Sequence, residues 1–439
     1  MTEQMKPSGI KSIGEIPCDW KISKIKYNVL IPVTDGPHET PVFVEDGVPF
    51  YSVDGIQNDH LVYEPCRYIS YEDANRYDTK AKPQYGDILM GKAASVGKIA
   101  LIDKHIRLQV WSPLAIIRTN ETKIHNKYLR YYLLSDSAQI EIDLKSTTNT
   151  QKNIAMEDIE NLVITVPSIE EQKKITSFLD AQCAKIDGII ADIEKQIETL
   201  QKYKKSLITE TVTKGLDKSV PMKDSGVEWI GEIPKHWGIN KTRYLANLCS
   251  GATPSKDIYS YWEGDIPWIS SQEVKNDIIA DTSLHISEEA VRSCSTKLLP
   301  TGTLVMVVRS GILQHTIPVS LLGVPATINQ DIKAFVFKSE MIPAFYKYYI
   351  QGENDALLNV LIKDKTTVES IDNNLLLSLR VMVPPIQEQK EIVSYLDKKC
   401  DKINSIITDK QAQLDAIIQH KKSLIYEYVT GKKRVTEVN

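Results

Sequence analysis

Two stretches carry residue types that could do chemistry on phosphates. The first is Gly91-Lys92-Ala93-Ala94-Ser95-Val96-Gly97-Lys98-Ile99. Glycines around small residues, with a lysine following, would cradle phosphate oxygens with backbone amides, as a nucleotide-binding loop does. Here five residues separate the glycines where that loop has four, and Ile99 stands where Ser or Thr must hold magnesium. A Gly-containing hairpin beside a strand explains the stretch without any ligand. The functional reading favoured over a nucleotide site is a loop whose lysines and amides meet DNA phosphates. The second stretch is Asp265 with Glu273-Val274-Lys275, an acidic-acidic-lysine arrangement that could hold a metal ion and activate water. The first half of the chain offers only Asp54-Gly55-Ile56 in its place, so a solvated strand end is the expectation. Eight histidines show no H-x-E or H-E-x-x-H spacing, and Cys18, Cys66, Cys183, Cys249, Cys294 and Cys400 form no C-x-x-C pair. Neither a zinc site nor a disulfide framework fits that scatter. No Gly-rich dinucleotide fingerprint and no Asn-Pro-Pro-Tyr or Asp-Pro-Pro-Tyr base-methylation motif occurs. The expectation is therefore no catalytic residue, no metal and no cofactor.

What positions these residues is a tandem duplication. SGIKSIGEIPCDW from Ser8 returns as SGVEWIGEIPKHW from Ser225, with 8 of 13 positions identical and an offset of 217 residues. Residues 167–213 match 384–430 at the same offset, with 24 identities in 47 positions and no gap. A period this long is not that of a solenoid, whose repeats run to about 20–50 residues. Between these blocks the halves have diverged, leaving short echoes such as Pro49-Phe50-Tyr51-Ser52 against Pro267-Trp268-Ile269-Ser270. Each repeat is thus a variable globular part followed by a better-preserved segment.

The preserved segments predict long helices. Leu179, Ile186, Ile189, Ile193, Ile197, Leu200 and Leu207 follow the three- and four-residue steps of a coiled-coil seam, and Ile392, Leu396, Ile403, Ile406, Leu414, Ile417 and Leu424 repeat them. Pro167 and Pro384-Pro385 suit a first helical turn. Glu170, Glu171 and Glu388 lie toward the positive end of the helix, and Lys202, Lys204, Lys205, Lys421 and Lys422 toward the negative end. Those lysines read first as a solvated face and second as a protein-docking surface. Cys183 and Cys400, at matching positions, read as small buried residues. Each apolar stripe must bury against something, and its own twin is the cheapest partner; periodicity allows a parallel or an antiparallel pair. The globular parts predict mixed α/β structure. Leu114-Ala115-Ile116-Ile117 and Thr303 to Val308 read as strands, and Tyr128 to Leu134 and its counterpart from Phe345 as short helices.

Net charge is −4, with 53 Lys+Arg against 57 Asp+Glu. Residues 1–167 hold 19 cationic against 22 anionic side chains, and residues 219–383 hold 15 against 18. Duplex affinity comes largely from cations that displace counterions at phosphates. A DNA reader of this composition must gather its cations on one face or borrow them from partner subunits. The apolar runs are too short to cross a bilayer, and the first residues have no signal-peptide core, so a cytoplasmic protein is expected.

With the repeat laid out, the chain resembles the type I restriction–modification DNA specificity subunit family over essentially its whole length. The resemblance rests on IGEIP-x-x-W at 13–20 and 230–237, on Pro267-Trp268-Ile269-Ser270, and on Arg309-Ser310-Gly311. It rests also on Ala326-Thr327-Ile328-Asn329-Gln330-Asp331 and the two Pro-x-Ile-x-Glu-Gln entries at 167–172 and 384–389. It implies two mixed α/β target-recognition domains (1–166 and 218–383) in pseudo-two-fold tandem, each reading half of a bipartite site in double-stranded DNA. It implies two helices, 167–217 and 384–439, forming an antiparallel coiled coil. Two copies of a methyltransferase (modification) subunit and translocase–nuclease restriction subunits would assemble around it. The first half departs from the pattern: Gly91 to Gly97 replaces Arg-Ser-Gly, and Gln109-Val110-Trp111-Ser112 stands in place of Asn329-Gln330-Asp331-Ile332. For DNA contacts the loop residues Lys92, Ser95 and Lys98 are the candidates in the first domain, and Gln272, Arg309, Ser310 and Gln314 in the second, Arg and Gln suiting the edges of guanine and adenine. Thr147, Thr148, Thr366 and Thr367 are candidate phosphate contacts. Two other readings compete: a nuclease or modification enzyme built on Asp265, Glu273 and Lys275, and a coiled-coil adaptor that never touches DNA.

Overall fold

The computed structural model describes residues 4–148, 151–294, 296–362 and 369–435. The chain folds into two compact units, one of residues 1–194 with 412–439 and one of residues 195–411. Both long helices take part in both units. Ile169–Lys214, of 46 residues, changes unit after Glu194, and Ile386–Val429, of 44 residues, after Gln411.

The helix ends follow from local chemistry. Ser168 accepts from the Glu171 amide through its hydroxyl at 3.2 Å and from the Gln172 amide through its carbonyl, so it caps the first helix. Gly215 and Gly431 lie just past the two C-termini at φ of 71° and 72°, the left-handed conformation that closes a helix with least strain. Within each unit the two helices run in opposite directions. Asp187 pairs with Lys421 and the Phe178 ring packs tilted against Tyr428 in one unit; in the other, Lys204 bonds Asn404 and Gly215 lies against Glu388.

Burial corrects part of the predicted seam. Leu179, Ile186 and Ile193 are buried, as are Leu396, Ile403 and Leu414, but Ile189 and Ile406 are 46% and 37% exposed. Ile175, Ile208 and Val212 are buried instead, packed into the cores of the globular domains. A strict heptad misassigns these positions because each helix buries one face on its twin and another on a domain. Cys183 and Cys400 are buried, and burial pushes both thiols up.

The globular parts share a core strand order, to which the second adds Ile278–Ile279 at one edge of its main sheet. The first has an antiparallel sheet ordered Ile99–Leu101, Ile88–Gly91, Leu114–Ile117, Thr34–Asp35. Beside it a second sheet runs Gln109–Val110, Val48–Tyr51, Arg67–Ile69, Phe43–Val44, with its first pair parallel. In the other unit Val319–Leu322, Leu304–Val307, Ile332–Phe337 and Ala246–Ser250 take the same order, and Ile266–Ile269 pairs parallel with Thr327–Ile328. One close approach recurs. A Cβ on Gly36 would stand 1.8 Å from the Val110 carbonyl oxygen, and one on Gly251 would stand 1.7 Å from that of Ile328, so both positions need glycine.

The repeated sequence blocks are the seams between domain and helix. Trp20 and Trp237 are fully buried, and their indole N–H groups donate to Glu171 at 3.1 Å and Glu388 at 3.0 Å. The neighbouring Gln172 donates to the Lys123 and Pro167 carbonyls and accepts from the His125 amide. Gln389 does the same with Glu340, Pro384 and Ile342. The Glu-Gln of each Pro-x-Ile-x-Glu-Gln entry therefore fastens the start of a helix to two parts of a domain. Gln389→Ala would strand three backbone groups, the Pro384 carbonyl buried and the other two partly so, and is expected to lower stability by about 1–3 kcal/mol, measured by urea unfolding. A loss under about 0.5 kcal/mol would mean that water replaces the amide.

Candidate nucleic-acid interface

The loop Lys92–Lys98 joins strand Ile88–Gly91 to strand Ile99–Leu101 as a tight hairpin, with Gly91 and Lys98 bonded across it. A phosphate loop leads into a helix N-terminus, where the macrodipole adds to the amides; this one leads into a strand. Its residues differ in what they can reach. Lys92 is 14% exposed and lies 3.1 Å from the carboxylate of Asp35, itself 1% exposed and 2.6 Å from Lys80. Burial pushes the Asp35 carboxyl up, but the two ammonium groups outweigh it and hold it below the usual carboxylate range. Lys92 is thus half of an internal ion pair. Lys98 is exposed and its ammonium donates to the Ile56 carbonyl at 3.1 Å, while Ser95 is half-buried.

Two of the predicted groups come together. Thr147 and Thr148, both exposed, pair with Asn153 and Lys152 in a short antiparallel ladder. Asn153 bridges to Ala93, and the Ala94 amide donates to the Lys152 carbonyl at 3.0 Å, so ladder and loop form one surface. The second unit builds the matching bridge at its own loop. Arg309 bridges to Ser370, and the Ile371 amide donates to the Val308 carbonyl at 2.8 Å. Thr366 and Thr367 lie outside the described residues, in the segment between Ile362 and Glu369. Arg309 is exposed, and among the described residues no hydrogen bond or ion pair holds its guanidinium. The Ser310 hydroxyl accepts from the Ile312 amide, Gln314 donates to Glu369 at 2.7 Å, and Gln272 is exposed in a turn.

Sequence reasoning missed a cleft of about 510 Å³ in the first unit. Phe43, Phe50 and Trp111 line it, and the Arg67 guanidinium lies 4.9 Å over the Phe43 ring. The signal was Trp111 itself; strand pairing matches Val110 with Ile328 and so sets Trp111 where the second unit has Asn329, two residues away from the position that sequence alignment gave. The acidic constellation does not assemble. Asp265 lines a hollow with Asp281 and His285, whereas Glu273 accepts from Ser283 at 2.5 Å. Among the described residues no group of three or more His, Cys, Asp or Glu could hold a metal ion, and no helix is long and apolar enough to cross a membrane.

Comparison with known proteins bears on the family and the fold. A family model described as the type I restriction modification DNA specificity domain matches twice, over residues 39–199 and 234–416. The Escherichia coli EcoR124I/EcoR124II type I restriction enzyme specificity subunit is 31% identical over 276 residues, 62% of this chain and 59% of that protein. The chain thus matches less than two thirds of that relative's length. The Methanocaldococcus jannaschii MjaVIII specificity subunit is 26% identical over 364 residues, 80% of each protein. A solved chain, from a study of complex assembly and conformational transition in the type I R-M system, superposes with a TM-score of 0.70. It is 14% identical and covers 95% of this chain and 99% of that one, a likeness of fold.

Proposed function

The chain belongs to the type I restriction–modification DNA specificity family, and from that membership we propose that it reads an asymmetric bipartite site in duplex DNA without catalysing any step itself. Residues 1–166 and 218–383 are the recognition domains. Residues 167–217 and 384–439 are the helices, an antiparallel coiled coil that separates them and scaffolds two copies of a methyltransferase subunit and the restriction subunits. The system works in the cytoplasm. The observation that carries this is the duplication: one core strand order twice, with matched helices and divergent loops. Tandem copies in one chain mimic a homodimer with a pseudo-two-fold axis, which suits the two-fold backbone of duplex DNA. Divergent loops then read different half-sites. DNA contacts are assigned to Lys98, Ser95, Thr147 and Thr148 in the first domain and to Gln272, Arg309, Ser310, Gln314, Thr366 and Thr367 in the second. Lys92 acts from within, through its pair with Asp35.

Methylation sequencing of the complex with its methyltransferase tests the proposal, and Arg309→Ala sharpens it. If Arg309 reads a guanine, the variant loses about 1–3 kcal/mol and relaxes one position of one half-site. If it meets phosphate, affinity falls for every sequence and the salt slope drops by about one. Unchanged affinity and unchanged specificity would remove Arg309 from the interface. Random methylation by the wild-type complex would defeat the proposal as a whole.

A further inference from the structure

Comparing the units residue by residue exposes a second matched constellation, which joins each recognition domain to the helices. In the first unit Arg130 is 8% exposed and donates to the Asp59 carbonyl at 2.5 Å. Lys421 pairs with Asp187 at 2.8 Å and stands 3.9 Å from the Asp59 carboxylate. The Tyr131 hydroxyl donates to Asp180 at 2.8 Å. In the second unit Lys347, 3% exposed, lies 3.5 Å from Asp277, which also accepts from Gln351 at 2.7 Å. Lys204 donates to Asn404 at 2.9 Å and Tyr348 to Asp397 at 2.6 Å. Arg130 and Lys347, Tyr131 and Tyr348, Asp180 and Asp397, and Lys204 and Lys421 are all 217 residues apart. Asp59 and Asp277 are 218 apart.

The two domains bring their aspartate there by different backbones. Asn58 and Asp59, at φ of 47° and 63°, form the tip of a two-residue hairpin between Ile56–Gln57 and His60–Leu61. Asp277 instead precedes strand Ile278–Ile279, which runs parallel to Leu321–Leu322. A loop aspartate meets the matching buried cation in both domains, through its backbone carbonyl at Asp59 and its carboxylate at Asp277, and two unlike loops in diverged domains do not inherit that from local structure. Stability does not account for the Lys347–Asp277 pair either, because a pair with a buried charge is often matched or exceeded by apolar residues of the same volume. The best-attested use of such a pair is to select one geometry among several. The reading loops lie close along the chain and in space. The Ile56 carbonyl, at the base of the Asp59 hairpin, accepts from Lys98, and Gln272 lies five residues before Asp277.

We propose that each constellation is a positioning clasp that fixes the direction in which one recognition domain presents its loops, so that Arg130 and Lys347 are specificity-determining residues, one for each half-site. The clasp rests on the DNA-reading function proposed above. It draws its lysine from the other repeat's helix: Lys421 stands 3.9 Å from Asp59 of the first domain, and the charge of Lys204 acts on Asp277 of the second.

The test uses the full chain, with Lys347→Met as the apolar replacement, Lys347→Arg as the rescue and Arg130→Met as the mirror variant. Hydrogen exchange is followed on the chain alone, and methylation mapping on its complex with the methyltransferase. Lys347→Met is expected to speed exchange in residues 274–279 while residues 56–61 stay protected. In the complex it relaxes the second domain's half-site about tenfold, the size of a one-pair mismatch, and leaves the other half-site intact. Lys347→Arg restores both readouts, and Arg130→Met shifts both effects to the first domain. Unchanged protection at 274–279, or equal loss at both half-sites, overturns the clasp. If the wild-type complex methylates no defined site, the DNA-reading function fails, while the exchange data still decide whether the clasp holds the loop.

Discussion

Alone, the chain is expected to bind its site weakly and with a shallow salt dependence; with a methyltransferase partner it is expected to bind at least about a hundredfold tighter at physiological salt. The charge count motivates this, since neither recognition domain has an excess of cations. The structure deepens it, because many of the cations present are already occupied. Lys80 and Lys92 hold Asp35, Arg118 holds the buried Asp87, Arg107 holds Asp78, and Lys347 holds Asp277. A cation in an internal pair cannot release a counterion from DNA. Each phosphate contact contributes about 0.9 to the slope of log affinity against log salt. The isolated chain should therefore show a slope of about 3 or less, and the complex about 6 or more. Titration of labelled duplex at several salt concentrations, with and without partner, measures both. Nanomolar specific binding by the chain alone, at a slope equal to that of the complex, would put the necessary cations on this chain and sink the expectation.

The duplication was readable because identity at fixed offset needs no knowledge of the fold, and its blocks proved to be the places where domain meets helix. Strand Leu114–Ile117 was readable because all four residues are apolar and buried, the pattern of a sheet covered on both faces. Lys92 was not. In sequence it is a lysine in a loop, and only the pairing of Ala115 with Asp35 in the sheet brings it to its acid. Ile189 and Ile406 were misjudged for a related reason. Periodicity reports that a helix has an apolar stripe, not how that stripe is divided between a twin helix and a domain. The clasp was invisible because Asp59 and Asp277 lie in diverged stretches and meet Arg130 and Lys347 only through tertiary structure. Thr147 and Thr148 were chosen without a register, and the ladder with Lys152 and Asn153 supplies the one that sets them beside the loop.

The second unit should lose stability as pH rises from about 4.5 to about 7, and Glu353→Gln should abolish the loss. Glu353 is 6% exposed, at the junction of helices Pro343–Gly352 and Asn354–Leu361. Burial pushes its carboxyl up to about 7, against a partial opposing pull from Lys205. The corresponding helix junction in the first unit carries Ser135, a neutral cap that accepts from the Ala138 amide. Below about pH 4.5 both folded and unfolded chains hold the proton, and the group does not affect stability. As pH rises the unfolded chain ionises first, while the folded chain keeps its proton until about pH 7. The unfolded state then binds fewer protons, so stability falls across that window and levels off above it. A shift of this size corresponds to about 3 kcal/mol. Glutamine keeps the shape without the charge, so the variant should match wild type near pH 4.5 and exceed it by about 2–3 kcal/mol at pH 8. The consequence reaches the helices. Thr209 donates to the Gly352 carbonyl at 2.7 Å and Lys205 pairs with Asp355, so residues 352–355 seat the domain on the central helix. Ionising Glu353 weakens that seat, and exchange at residues 352–361 should accelerate between pH 6 and pH 8 beyond the intrinsic rise. Urea unfolding and hydrogen exchange on wild type and variant decide it: an identical pH dependence for the two would show that Glu353 is ionised and solvated in the folded chain.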